Sequence, residues 1–219
     1  MNQPPIPVQL YTPPLYRYLN EQYVDMFFNL GLLRISSFEQ FKKHKDEARL
    51  DKDEGIANLT GTCSDKNTKV VIRYGVANSF VFCSSFEQSK DIADMFGTNC
   101  CFEIFSPIDF MIKIGESLEK NNYPLRRILY GFCNYKQTRD IHKNISQKDM
   151  EKIHPLTDIG EIFRLGNKIA PDELFFLKSK DFIRQSEYRM VWDINSNNIP
   201  EYIDIYVPEA VQFCRKIKF

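Results

Sequence analysis

Short runs rich in aromatic and β-branched residues recur along the 219-residue chain, and they constrain its fold more than any other feature. Runs of this kind favour β-strands. They cover residues 15–19, 32–36, 70–74, 79–84, 101–105, 128–135, 188–192, 202–207 and 211–219. Helical patterns separate only some of them, whereas a doubly wound parallel sheet requires regular alternation. The pattern therefore predicts an α+β fold with a mostly antiparallel sheet and flanking helices.

Capping residues and helical spacing place the expected helices. Asn20 is a candidate N-cap, and Gly31 is the expected end of the helix that follows it. Pro107 is expected to open an amphipathic helix that reaches Leu118. Shorter helical segments are expected at residues 38–41, 91–96 and 172–177.

The chain is expected to form a single domain over residues 15–219, of catalytic α+β type, preceded by an extended proline-containing arm at residues 1–14. Residues 136–160 are polar and suggest an insertion. Residues 42–55 are densely charged and are typical of a solvated loop, although Arg49, Asp51 and Glu54 could instead cover a binding site or contact a second substrate.

Composition limits the classes of partner. Hydrophobic residues make up 43% of the chain, with 18 Phe and 11 Tyr, which is enough for a sizeable core. Lys plus Arg equals Asp plus Glu at 29 each, so no global charge attracts nucleic acid or an anionic membrane. Six scattered cysteines without a CxxC pair, no signal peptide and no apolar run of ~20 residues indicate a cytoplasmic protein without a membrane partner.

Several common catalytic and phosphate-binding motifs are missing from the sequence. It contains neither GxGxxG nor GxxxxGK[ST], and no GxSxG elbow. Its three histidines show no HExxH spacing and have no cysteine cluster beside them. No metal site is therefore expected.

Three polar segments stand in strand contexts. Arg17 is central in the first aromatic run, Ser84 and Ser85 end a later strand, and Gln185-Ser186-Glu187 opens a strand near the C-terminus. In this order they resemble the motifs of the ADP-ribosyltransferase superfamily. Those motifs are an Arg or His on the first strand, a Ser-Thr-Ser-like segment, and a Gln-x-Glu or Glu-x-Glu turn. Cys83 stands where the first Ser of the middle motif is usual.

A second resemblance covers most of the chain. A family of uncharacterised bacterial proteins begins with Leu-Tyr-Lys/His-Tyr, continues with Ser-Ser-x-x-x-Phe and Cys-Phe/Ser-Ser, and ends with Glu-Tyr-Arg. The chain is similar to it at residues 15–18, 36–38, 83–85 and 187–189. The two resemblances together imply an ADP-ribosyltransferase-like fold, in which split β-sheets surround NAD⁺. They imply a bacterial or phage enzyme, such as a toxin or defence effector.

The resemblance implies a role for each matched residue. Glu187 would stabilise the positive charge that develops on the ribose, and Gln185 would orient the acceptor nucleophile. Arg17 would act in catalysis by gripping the NAD⁺ pyrophosphate or ribose. The remaining expected contacts to NAD⁺, which is a substrate here, come from Tyr18, Ser84, Ser85, Arg49 and Tyr188. An aromatic ring from Phe86, Phe96 or Tyr188 would stack on nicotinamide.

Alternatives stay open from the sequence alone. The acceptor could be a protein, a nucleic acid or water, and a cognate inhibitor or antitoxin could exist. A non-catalytic module on the same fold would bind a nucleotide or a protein. A metal-dependent, RNA-acting enzyme would use Asp51 and Asp53 with Mg²⁺.

Structural roles are a further alternative. Arg17 would then pair with an acidic neighbour across the sheet, and Ser84 and Ser85 would simply end a strand. Glu187 and Arg189, which share one face of a strand, would be solvated or paired with neighbouring charges.

Overall fold

A computed structural model describes residues 12–43, 50–63, 68–76, 78–151, 159–196 and 198–219. Its helices are α1 (Glu21–Leu30), α2 (Phe38–Lys42), α3 (Lys90–Met95), α4 (Pro107–Lys120), α5 (Gln147–Met150) and α6 (Ile159–Ile169). Three 3₁₀ helices cover Asp172–Phe176, Lys180–Gln185 and Pro208–Phe213. No helix in the described ranges is both long enough and apolar enough to cross a bilayer.

The strands occupy most of the runs expected from the sequence. They are β1 (Leu15–Tyr18), β2 (Leu32–Ser37), β3 (Ile56–Cys63), β4 (Thr68–Gly75), β5 (Ser79–Ser85), β6 (Cys100–Ile104), β7 (Leu125–Phe132), β8 (Asn134–Lys136), β9 (Asp140–Asn144), β10 (Leu177–Ser179), β11 (Glu187–Ile194), β12 (Tyr202–Tyr206) and β13 (Cys214–Lys218). The fold is α+β and a single compact domain, as predicted.

An eight-stranded sheet forms the centre of the molecule. Its main path is β12-β2-β5-β1-β6-β13, and β11 pairs with β5 and with β7. All pairs within it are antiparallel. Two smaller sheets, β4-β3-β9 and β10-β8, each contain one parallel pair. The prediction of mostly antiparallel sheets is confirmed.

Both faces of the central sheet are buried. On one face, α1 and α4 pack over a core that includes Phe27, Phe102, Phe110 and Trp192. On the other face, α2, β3 and the 3₁₀ helix Asp172–Phe176 cover a second core. Because side chains alternate along a strand, β11 sends Tyr188, Met190 and Trp192 into the first core. Its alternate residues, Glu187 and Arg189 among them, face the second.

Both ends of α1 agree with the sequence prediction. Gly31 adopts a left-handed conformation with φ 67°, and its N–H closes the helix on the Phe27 carbonyl at 2.8 Å. An added Cβ at Gly31 would lie 2.6 Å from the Pro208 Cα, so only glycine fits there. Asn20 occupies the predicted N-cap position with an extended backbone, and its carbonyl accepts from the Val24 N–H at 3.3 Å, but its side chain makes no capping hydrogen bond.

The structure adds detail to other local predictions. The consecutive strands β4 and β5 belong to different sheets, since β4 pairs with β3 and β5 lies in the central sheet. The helical segment expected at residues 172–177 is present as the 3₁₀ helix Asp172–Phe176. Within the polar residues 136–160, β9 pairs in parallel with β3, so part of that segment belongs to a sheet. Residues 1–11 of the expected arm and 152–158 lie outside the described residues.

Candidate functional site

The central sheet splits along one edge of β5. β5 pairs with β2 at Phe80 and Val81 but with β1 at Ser85. Residues 82–84 therefore face the place where β1 and β2 separate. A cavity of about 490 Å³, lined by side chains from β1, β2 and β5, opens there. Its volume falls within the range of small-molecule binding sites.

All three predicted motifs contribute to this cavity. Its wall includes Arg17, Tyr18, Ser84, Ser85, Gln185 and Glu187. The register of the strands brings Ser85 and Glu187 together, because Ser85 is opposite Tyr16 on one side and opposite Glu187 on the other. Residues far apart in sequence thus lie in one row across β1, β5 and β11.

Arg17 bridges the split in the sheet. Its guanidinium donates a hydrogen bond to the carbonyl of Cys83 and lies over the Phe82 ring, 4.7 Å from the ring centroid. It thereby contacts the β5 backbone at the point where neither β1 nor β2 pairs with it. This contact holds a positive charge at the cavity wall, where an anionic ligand would benefit from it.

The hydroxyl groups of the first two motifs are already engaged. The Tyr18 hydroxyl donates to the Glu87 carbonyl at 2.8 Å and accepts from the Ser89 N–H at 2.7 Å. Burial raises the pKa of Tyr18 to about 12, so this hydroxyl stays protonated. Ser84 Oγ donates to the Tyr188 carbonyl at 3.2 Å, and Ser85 Oγ accepts from the Glu87 N–H at 3.0 Å. These groups shape the cavity wall.

Ser186 sets the turn that presents Gln185 and Glu187. It adopts a left-handed conformation, with φ 46° and ψ 49°, between the 3₁₀ helix Lys180–Gln185 and β11. Its Oγ donates to Glu87 Oε1 at 2.7 Å, and its carbonyl accepts from the Phe86 N–H at 3.0 Å. Non-glycine residues rarely adopt this conformation, and it occurs here where two candidate site residues flank it.

Glycine should fit the Ser186 position better than alanine. We expect Ser186→Gly to be more stable than Ser186→Ala by about 1 kcal/mol, because both lose the bond to Glu87 but only glycine adopts positive φ without strain. Urea unfolding of the two variants measures the difference. An alanine variant as stable as the glycine variant would show that the turn is not strained.

Glu187 belongs to a buried cluster of four charges. Its Oε1 accepts a hydrogen bond from Arg189 Nε at 2.6 Å, and its Oε2 accepts one from Lys178 Nζ. Glu54 completes the cluster, at 2.8 Å from Arg189 Nη2 and 3.6 Å from Lys178 Nζ. None of the four residues is more than 4% exposed. The cluster contains two positive and two negative charges, so it is neutral as a whole.

The two cations determine the ionisation of Glu187. Burial by itself would raise its pKa, but the charges and hydrogen bonds of Lys178 and Arg189 outweigh burial and hold the pKa well below the usual range. Glu187 is therefore a carboxylate at physiological pH and does not act as an acid there. Glu187 and Glu54 raise the pKa of Lys178 despite its burial, so Lys178 remains charged.

The charged segment before β3 differs from the expected solvated loop over its described part. Asp51 and Glu54 are buried, at 6% and 2% exposure. Asp51 pairs with Arg139, and Asp53 pairs with Arg73 at 2.6 Å. Each carboxylate proposed for a metal site thus has its own guanidinium partner. Among the described residues, no group of three or more His, Cys, Asp and Glu side chains could hold a metal ion.

Two predicted contacts do not lie at the cavity. Tyr188 is 3% exposed, and its ring packs in the first core, edge-on to Phe132 with the ring centroids 5.0 Å apart. Tyr188 therefore does not line the cavity, because its ring points to the opposite face of β11 from Glu187. Phe86 also packs against Phe132, whereas Phe96 lines the cavity. Arg49 lies outside the described residues.

A second ion pair at the cavity was not predicted from the sequence. Arg34 on β2 and Asp204 on β12 are cross-strand partners that both line it. Arg34 donates to the two Asp204 oxygens at 2.7 Å each, and its guanidinium lies 4.0 Å from the centroid of the Tyr202 ring. Alternating polar residues on the two strands were the available signal, but their pairing was not evident from the sequence.

Comparisons with known proteins reveal no relative. No protein-family model matches the chain, and neither a curated protein nor a solved structure shows significant similarity to it.

Proposed function

We propose that this chain is an NAD-dependent ADP-ribosyltransferase with an ADP-ribosyltransferase-like fold. The observation that carries the proposal is the meeting of Arg17, Ser85 and Glu187 in one cavity where the central sheet splits. One residue from each of the three motifs thus lines the same cavity. The cavity volume, a guanidinium for phosphate oxygens and a permanent carboxylate suit a dinucleotide with a cationic leaving group.

Glu187 would act through its charge. As the bond between the ribose C1′ and nicotinamide breaks, nicotinamide leaves with the electron pair and the ribose becomes oxocarbenium-like. A fixed carboxylate stabilises that charge and accepts a hydrogen bond from a ribose hydroxyl. Each Glu187 oxygen keeps a second acceptor direction beside its bond to Lys178 or Arg189. The acceptor nucleophile then bonds to C1′ and gives its proton to solvent.

Gln185 and Arg17 would position the reactants. Gln185 lines the cavity two residues before Glu187, and its amide offers both a donor and an acceptor to the incoming nucleophile. Arg17 would contact the pyrophosphate from the β1 side of the split. The chemistry needs no metal ion, because nicotinamide is already a good leaving group in its cationic form.

A binding module on the same fold is the second candidate. Both oxygens of Glu187 have buried cationic partners, and an arrangement of this kind also serves purely structural roles. A binding module would take up NAD⁺ without releasing nicotinamide. Calorimetric titration with NAD⁺, beside a nicotinamide-release assay on the same protein, separates the two candidates.

Removing the Arg17 guanidinium should weaken NAD⁺ binding. We expect Arg17→Gln to raise the Kd for NAD⁺ by about 10- to 100-fold, because a hydrogen bond to a charged group is worth about 1.5–3 kcal/mol. Arg184→Gln is the matched control, since Arg184 is exposed and does not line the cavity. Equal affinities in the two variants, or no NAD⁺ binding by the wild type, would contradict the proposal.

A further inference from the structure

β12 is an edge strand beside the cavity. In the described part of the chain it pairs with β2 alone. Its outward side chains are Tyr202, Asp204 and Tyr206, and Asp204 also lines the cavity. Tyr202 is 44% exposed and Tyr206 is 66% exposed. We call these three side chains and their backbone the β12 edge surface.

The hydrogen bonds at the two ends of β12 show which backbone groups face outward. The Ser37 N–H donates to the Glu201 carbonyl at 2.7 Å, and the Val207 N–H donates to the Gly31 carbonyl at 2.8 Å. Hydrogen-bonded pairs alternate along an antiparallel ladder. Residues 203 and 205 therefore turn their backbone groups toward β2, whereas 202 and 204 turn theirs away.

The outward-facing backbone is short and has a defined end. Ser117 Oγ from α4 donates to the Tyr206 carbonyl at 3.1 Å, which occupies that acceptor. The N–H and C=O groups of Tyr202 and Asp204 stay open among the described residues. Open edge groups are a template for another extended chain. The open stretch includes Asp204, whose ion pair with Arg34 lines the cavity.

The charges of this region favour a protein over a nucleic acid. Arg34 is paired with Asp204, and Lys43 is paired with Glu201. No cation in this part of the described structure is left to bind phosphates, and binding of a polyanion depends on such cations. Exposed tyrosines next to an arginine are instead typical of the centres of protein interfaces.

We infer that the β12 edge surface receives an extended segment of a protein acceptor. The segment adds as a strand to β12, bonds to the backbone of Tyr202 and Asp204, and packs its side chains on Tyr202 and Tyr206. It then runs past the cavity mouth, where one of its nucleophilic side chains reaches the site. The inference rests on the proposed function and names the acceptor class as protein.

The test uses a probe that does not depend on NAD⁺. A phage-displayed library of random dodecapeptides is selected on the full-length protein, and the Kd of the best peptide is measured. We expect the double variant Tyr202→Ala/Tyr206→Ala to bind it at least about tenfold more weakly, as loss of interface aromatics does elsewhere. The matched control is Tyr130→Ala/Phe132→Ala, an exposed aromatic pair on the edge strand β7, which should bind within about twofold of the wild type.

A single substitution tests the backbone contact. Tyr202→Pro removes both the ring and the outward N–H, whereas Tyr202→Val keeps the N–H. We expect Tyr202→Pro to weaken peptide binding more than Tyr202→Val does, because proline lacks the N–H donor. An edge strand tolerates proline at its first residue, so the fold should be kept. Equal losses would overturn the strand addition.

The outcomes separate this inference from the proposed function. Nicotinamide release with water as acceptor should be unchanged in Tyr202→Ala/Tyr206→Ala. Two results would overturn the acceptor inference while normal nicotinamide release leaves the function standing. One is a peptide Kd that does not change when Tyr202 and Tyr206 are replaced. The other is competition between a dodecathymidylate and the peptide for the β12 edge surface. If the peptide binds at β12 while the wild type neither binds NAD⁺ nor releases nicotinamide, the function fails and β12 stands as a peptide site.

Discussion

Replacing Arg189 by methionine is expected to lower the free energy of unfolding by about 3–5 kcal/mol, the usual cost of removing one partner from a buried ion pair. Arg189 is fully buried, and its guanidinium contacts both Glu187 and Glu54. Its Nη1 also donates to the Phe175 carbonyl at 2.7 Å. Methionine fills part of the volume but leaves two buried carboxylates with Lys178 as their one remaining cation. Urea unfolding at pH 7 measures the effect.

The double variant Arg189→Met/Glu54→Gln is the control for charge. It removes one charge of each sign and leaves Glu187 paired with Lys178. We expect it to recover part of the lost stability, since the cluster is neutral again. A loss below about 1 kcal/mol in Arg189→Met, or no recovery in the double variant, would mean that the cluster is solvated and its charges are weakly coupled.

The pH dependence of stability should follow Glu187. Its pKa in the folded protein lies below the value of about 4.3 for an unfolded chain. The stability it contributes is thus complete above that unfolded value and is lost as the pH falls toward the folded pKa. In Arg189→Met, Glu187 loses one of the two cations that lower its pKa, so its pKa rises and the deficit in stability relative to the wild type shrinks at acidic pH.

Local patterns were sufficient to locate strands with strong β-formers. β1, β2, β5, β6 and β12 lie within a residue or two of their predicted bounds. β3 was missed, because Ile-Ala-Asn-Leu-Thr-Gly-Thr-Cys mixes small and polar residues and contains no aromatic. Its position is fixed by pairing with β4 and β9, which are distant parts of the chain. Partners of this kind leave no local signal.

The candidate site shows the same division between local and distant information. Motif order singled out Arg17, Ser84, Ser85, Gln185 and Glu187, and all five line one cavity. The strand register that aligns Ser85 with Glu187 is not visible in the sequence. Burial of charge could not be predicted. Asp51 and Glu54 stand in a charged run that is typical of solvent-exposed chain. Their burial depends on Arg139 and Arg189, which lie more than 80 residues away in the sequence.

The substitution Glu187→Gln is expected to lower nicotinamide release by at least about 100-fold, the usual cost of removing one electrostatic stabiliser from a preorganised site. Glutamine preserves the shape of the side chain but cannot neutralise a developing oxocarbenium charge. It also leaves a net positive charge in the buried cluster, which would destabilise the fold by itself. A loss of activity alone would therefore not distinguish a catalytic role from a structural one.

Glu54→Gln provides the matched comparison, since it removes the same charge from the same cluster at a residue that does not line the cavity. We expect the two variants to lose similar stability in urea unfolding, but Glu54→Gln to release nicotinamide within a few-fold of the wild type. If both variants lost nicotinamide release equally, both glutamates would have a structural role only. Full release by Glu187→Gln would remove this carboxylate from the chemistry. If the two variants lose the same stability but only Glu187→Gln loses nicotinamide release, the developing positive charge lies beside Glu187.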